Sequence, residues 1–157
     1  MREASTLIRK TSSQDGSCPD RKEVILSSGL HERVMALQSQ MLAMPEHQIL
    51  IEPTHYFAHG LYGREVTLPV GSTAIGHSHA QEHICIISKG RVQVVSEDGV
   101  REIAAPATLV IPRGRKNCVH ALEETVWTTI HASDAITPDE AEATLILPDA
   151  EITPCLS

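Results

Sequence analysis

Aromatic side chains are nearly missing from this chain: one Trp, two Tyr and one Phe make up 3% of 157 residues. Hydrophobic residues reach 41%, so Val, Ile, Leu and Ala must build the interior. The length suits one domain with a real core and some peripheral segment. Basic residues are also in deficit, 13 against 20 acidic, for a formal charge of -7. That balance argues against phosphate-backbone binding, and no nucleic-acid partner is expected. The only dense basic cluster, Arg113, Arg115 and Lys116 in "PRGRKN", reads as a solvated loop. The four cysteines, Cys18, Cys85, Cys118 and Cys155, form no C-x-x-C pair. Neither a disulfide framework nor a cysteine zinc knuckle follows, and the thiols read as reduced and cytoplasmic. No apolar run approaches the ~18 residues of a membrane span. The opening "MREASTLIRK" has no signal-peptide core. A soluble, cytoplasmic protein without a membrane partner is the expectation.

What is present divides the chain. Residues 1–28 are polar, with "TSSQDGSCPD" at their centre, and read as a mobile N-terminal arm. Residues 29–48 form a helical extension: Leu30, Val34, Leu37 and Met41 recur at helical spacing until Pro45 stops the segment. Residues 49–135 are β-rich, with short runs such as "REVTLPV", "HICIISKG" and "ATLVIPRG" punctuated by Gly, Pro and Asp. Turn signals at that spacing point to an antiparallel sandwich or barrel. Asp98-Gly99 supplies a hairpin turn. Residues 136–157 hold a short C-terminal helix and tail, with Thr137 as N-cap and Pro138 at the first position. No internal repeat or low-complexity tract is present.

Histidine is concentrated where the strands begin. In "GHSHAQEHICIISKG", His77 and His79 are two apart and share a face of an extended chain, and His83 opens the next apolar run. A metal site, a polar ligand pocket and a wet surface turn all fit such a cluster. His120 and His131 bound a later segment, "HALEETVWTTIH", in which Thr125, Trp127, Thr129 and His131 share one face. A barrel would bring these sets together, and imidazoles suit zinc, copper, iron or nickel. His31 and His47 read as surface residues, and His55 and His59 as hydrogen-bonded structural ones. His131 as a strand cap, Trp127 as core and Cys85 as a small buried hydrophobe are the plain alternatives.

The segment from Gly71 to Gly90 resembles the first cupin motif, G(X)5HXH(X)3,4E(X)6G. Gly71, His77, His79, His83 and Gly90 fall at its spacings, with His83 where the motif has glutamate. Glu82 is one position off and would face the other way. The second motif, G(X)5PXG(X)2H(X)3N, matches at Pro112 and Gly114. Pro106, Asn117 and Ala121 replace its Gly, His and Asn, and His120 comes three residues late. His120 therefore reaches the centre only if the turn after Gly114 is longer than usual. The chain is also similar to small cupin-like proteins found mainly in tailed-phage genomes, over roughly residues 52–132. That group's pattern falls here on His55, Arg64, Glu65, His79, Glu82, His83, His120, Trp127 and His131, but not on His77.

The resemblance implies an all-β, cupin-type double-stranded β-helix (jelly-roll barrel) with an N-terminal helix and a short C-terminal helix. It also implies a divalent transition metal (Zn, Ni, Cu, Fe or Mn) held by a set drawn from His77, His79, His83, His120 and His131. The expected protein is a phage-associated small-molecule-binding or assembly protein, in the host cytoplasm or associated with the virion. The alternative is a metal-dependent oxygenase, isomerase or hydrolase with Glu65 or Glu82 as general base. A small-molecule ligand in the barrel and a homodimer or larger homo-oligomer are expected partners, the latter because a small barrel covers the 30–44 helix poorly.

Overall fold

A computed structural model describes residues 7–8, 26–96 and 99–149. Most of the arm, the Asp98 half of the expected hairpin turn, Cys18, Cys155 and the tail beyond 149 lie outside them. Two five-stranded antiparallel sheets carry the structure. The first contains β1 (Leu7–Ile8), β4 (Thr73–Ile75), β7 (Arg91–Ser96), β8 (Gly99–Ala104) and β10 (Cys118–Ala121), in the order β1-β4-β10-β7-β8. The second contains β2 (Thr54–Ala58), β3 (Leu61–Leu68), β6 (His83–Lys89), β9 (Ala107–Ile111) and β11 (Thr125–Ala132), in the order β2-β3-β11-β6-β9. A small third sheet pairs β5 (Ser78–His79) with β12 (Ile146–Leu147). Apart from the β2–β3 and β7–β8 hairpins, the chain crosses repeatedly between the two large sheets, and the whole is a cupin-type double-stranded β-helix.

Period-two patterning decides which face each side chain takes. On β6, His83, Cys85 and Ile87 are buried while Ile84 is exposed. On β3, Tyr62, Val66 and Leu68 are buried with Arg64 in the same phase. The interior is aliphatic, as the shortage of aromatics requires: Val66, Leu68, Ile87, Val92, Val94 and Val119 pack together, and Trp127 is the one aromatic among them. Ile49 and Ile51 pack on this core without joining a ladder, so the first barrel strand starts at Thr54 instead of 49.

The first sheet has a second apolar face, and a helix covers it. Helix α1 spans Leu26–Leu42, starting ahead of the boundary at 29. Its Val34 and Met41, with Leu30 and Leu37, pack on Ile75, Cys118 and Val95. Those strand residues are out of phase with the inward Ala74, Val94 and Val119. The helical periodicity at 30, 34, 37 and 41 is thus satisfied within one chain. Helix α2 (Pro138–Leu145) is capped by Thr137, whose Oγ1 accepts the Glu140 N–H, while Glu140 reaches back to the Ile136 N–H. It seats Ala141 and Leu145 on Tyr62. The chain then continues into β12, which brings Ile146 opposite His79.

The basic loop differs from its solvated reading. Lys116 is buried, its ammonium donates to Asp149 beyond β12, and Asp149 also accepts from Gln38 of α1. Asp149 therefore joins the 112–117 loop through an ion pair and the helix through a hydrogen bond. Among the described residues, no helix is long and apolar enough to cross a membrane.

Candidate metal centre

Three histidines meet at one end of the barrel. His79 comes from β5, His83 from the start of β6 and His131 from near the end of β11. His83 lies opposite Ile111, and His131 lies opposite Tyr62, so both continue the inward phase of their strands. His79 is fixed by the short ladder to β12 and by its own carbonyl, which accepts the Gly114 N–H. Ring centroids are 4.4 Å apart for His79–His83, 4.5 Å for His79–His131 and 4.4 Å for His83–His131. One ligand nitrogen from each lies within 4.8 Å of the others, close enough to share one ion.

Electrostatics keeps these rings neutral. Burial lowers His79 to about 2, helped by the neighbouring charges of His83, His131, His77 and Arg64. Burial, then His83, lowers His131 to about 4, and burial lowers His83 despite a backbone hydrogen bond. Neutral imidazole is the ligating form. His83 Nδ1 lies 3.3 Å from the Gln81 carbonyl, a contact that assigns the proton to Nδ1 and leaves Nε2 with the lone pair. The Nδ1 atoms of His79 and His131 are buried without a hydrogen-bond partner. A lone buried polar atom costs about 1–3 kcal/mol. A cation bonded to these rings offsets that cost, so the residues fit a divalent transition metal.

The cavity beside the triad has a volume of about 110 Å³. His77, Arg64, Arg115, Asn117 and Thr129 line it together with apolar Val66, Leu68 and Trp127. Burial pushes the Cys85 thiol in its wall up to about 12, so it is neither thiolate ligand nor nucleophile near neutral pH.

The other expected site residues are placed elsewhere. His77 lines the cavity but stands outside the three-nitrogen group. His120 is on the opposite face of β10 from inward Val119, and its Nδ1 lies 3.0 Å from Thr73 Oγ1. Strand alternation thus directs it away from the centre. Glu65 lies on the outer face of β3, where it accepts from Thr128 and Tyr56. Glu82 is exposed, and neither acid lines the cavity. His55, as the structural reading expects, pairs its Nδ1 with the Tyr62 hydroxyl at 2.8 Å. Arg64 had no role assigned from sequence. Its signal was a charge in the apolar phase of "LYGREVTL".

No protein-family model matches the chain. No curated protein matches it either. Among solved structures, it is similar to a cupin-2 domain protein from Shewanella frigidimarina (18% identity, 52% of this chain and 80% of that one, TM-score 0.45). A cupin 2 conserved barrel domain protein from Salinispora arenicola gives 18% identity over 59% of this chain and 84% of that one, TM-score 0.46. An acetylacetone dioxygenase from Acinetobacter johnsonii gives 16% identity over 58% and 66%, TM-score 0.45. At these identities and scores the likenesses assign neither activity nor ligand. The chain's own topology and histidine cluster define it as a cupin-type barrel with three histidines placed to share one metal ion.

Proposed function

We propose that the chain binds one divalent transition metal through His79, His83 and His131 and uses the adjoining cavity to hold a small molecule. The observation that carries this reading is the triangle of neutral, partly unpartnered imidazoles, two of which, His79 and His83, line that cavity. Such an ion supplies a Lewis-acid centre whose remaining positions are open to ligand. No carboxylate lines the cavity among the described residues, which favours a binding role over general-base catalysis by Glu65 or Glu82. The similarity to small phage-genome proteins supports a phage-associated role in a host cytoplasm.

The reading is tested by melting zinc-reconstituted protein at pH 8 with and without chelator. Chelator should lower the melting temperature, because an ion bound only by the folded state adds to stability. An unchanged melting temperature contradicts a metal centre of this kind.

Assembly is a second reading with its own observation. A row crosses the outer face of the second sheet through Tyr56, Gly63, Ile130, Ile84 and Val110, each opposite the next. Tyr56, Ile84 and Val110 are 50%, 43% and 62% exposed. An uncharged apolar row of that width suits a homo-oligomer contact.

A further inference from the structure

The inner face of the second sheet is layered by its registers. The layer nearest the mouth contains Tyr62, His131 and His83. The next contains Arg64, Thr129, Cys85 and Leu109, aligned across β3, β11, β6 and β9. Below it come Val66, Trp127, Ile87 and Ala107. Successive inward residues on a strand are ~7 Å apart. A single cation therefore sits one step beneath the histidines, above an apolar floor.

Arg64 is unusual for a charge in this position. Burial lowers its pKa, yet among the described residues its guanidinium makes no hydrogen bond and no ion pair. Glu142 acts on it only through charge, from an exposed position on α2. No acid lines the cavity that Arg64 faces, whereas Arg115 and His77 do. A desolvated charge without a partner is costly, and the cost is offset when a counter-ion arrives.

We infer that the cavity takes a small carboxylate, its anionic head on the Arg64 guanidinium beneath the histidine triad and a short apolar tail against Val66, Leu68 and Trp127. This deepens the reading of the cavity as a ligand site and names the class of ligand. Arg64 presents a fork of donors that matches a carboxylate. A neutral amide of the same shape leaves the charge uncompensated, and an amine meets the like charge of Arg64. The volume of about 110 Å³ restricts the tail to a few carbons.

The test compares butyrate with butyramide by calorimetry, on zinc-loaded and on metal-free protein, for the wild type and Arg64→Gln. The expected result is butyrate binding roughly tenfold or more tighter than butyramide, a preference that persists without metal. Arg64→Gln should abolish that preference while leaving zinc uptake unchanged. Equal binding of the two probes, or no butyrate binding up to about 10 mM, overturns the inference. So does a preference confined to zinc-loaded protein and indifferent to Arg64→Gln, which would put the carboxylate on the metal alone. Failure to take up zinc, with the butyrate preference intact, sinks the metal reading and leaves this one standing. Should Arg64→Gln not fold, the metal-free wild type decides by the same comparison.

Discussion

The chemistry of the site rests on three side chains whose burial has a sign. His79 and His131 are held at about 2 and about 4 in the folded chain, below the ~6.5 of a free imidazole. The unfolded chain therefore binds more protons as pH falls, and metal-free protein should lose stability below about pH 6.5. Each ring contributes up to ~1.4 kcal/mol per pH unit, down to its folded value. Above that range the dependence should be flat. Urea midpoints of chelated protein from pH 8 to pH 5 check this, and a midpoint that does not fall below pH 6.5 contradicts the buried, neutral triad. His79 and His83 were legible in the sequence because motif spacing and strand alternation agree on them. His131 was legible through its phase with Thr125, Trp127 and Thr129. The face of His120 was not, because the register of β10 is set by its pairing with β4 and β7, which are remote in sequence. Arg64 was visible as part of the phage-genome group's pattern and as a charge out of place, but neither gave it a role.

At the scale of elements, turns and one ion pair fix the frame that aims those residues. Gly90 joins β6 to β7 at φ 85°, and a Cβ there would collide with the Glu124 carbonyl and Thr125. Gly90→Ala should thus cost several kcal/mol, about 3 or more, since neither backbone can yield cheaply. A denaturation midpoint within error of the wild type would contradict that packing. The Lys116–Asp149 pair makes a second test. Burial raises the Asp149 carboxyl, but the hydrogen bond and charge of Lys116 outweigh this and hold it below its ordinary value. Removing the acid leaves a buried ammonium, whereas Lys116→Met leaves a half-exposed carboxylate near water. Asp149→Ala should therefore destabilise by more than Lys116→Met, on the order of 3 kcal/mol against 1. Equal losses would show that the ammonium finds water instead. The α1 stripe and the α2 cap were readable from local periodicity and capping chemistry. The role of Lys116 was not, because its partner is 33 residues away.

For the whole molecule, the aliphatic composition foretold a core without aromatic ballast, and short punctuated strands foretold two antiparallel sheets. The helix whose apolar face suggested a missing partner is covered by its own first sheet. The case for assembly passes to the outer row of the second sheet, with Val110 on its edge strand and Ile84 on the strand beside it. Light scattering at micromolar concentration should give at least twice the 17.1 kDa chain mass, and Val110→Lys should reduce it. A monomer in the wild type would count against the oligomer. The central claim is that His79, His83 and His131 hold one transition-metal ion, and that His120, on the far side of its strand, does not. Elemental analysis of tag-free protein after reconstitution tests it most directly. The account predicts about one equivalent in the wild type and in His120→Ala, and a near-complete loss in His131→Ala. Less than about a tenth of an equivalent in the wild type, or an equal loss in His120→Ala, would contradict it.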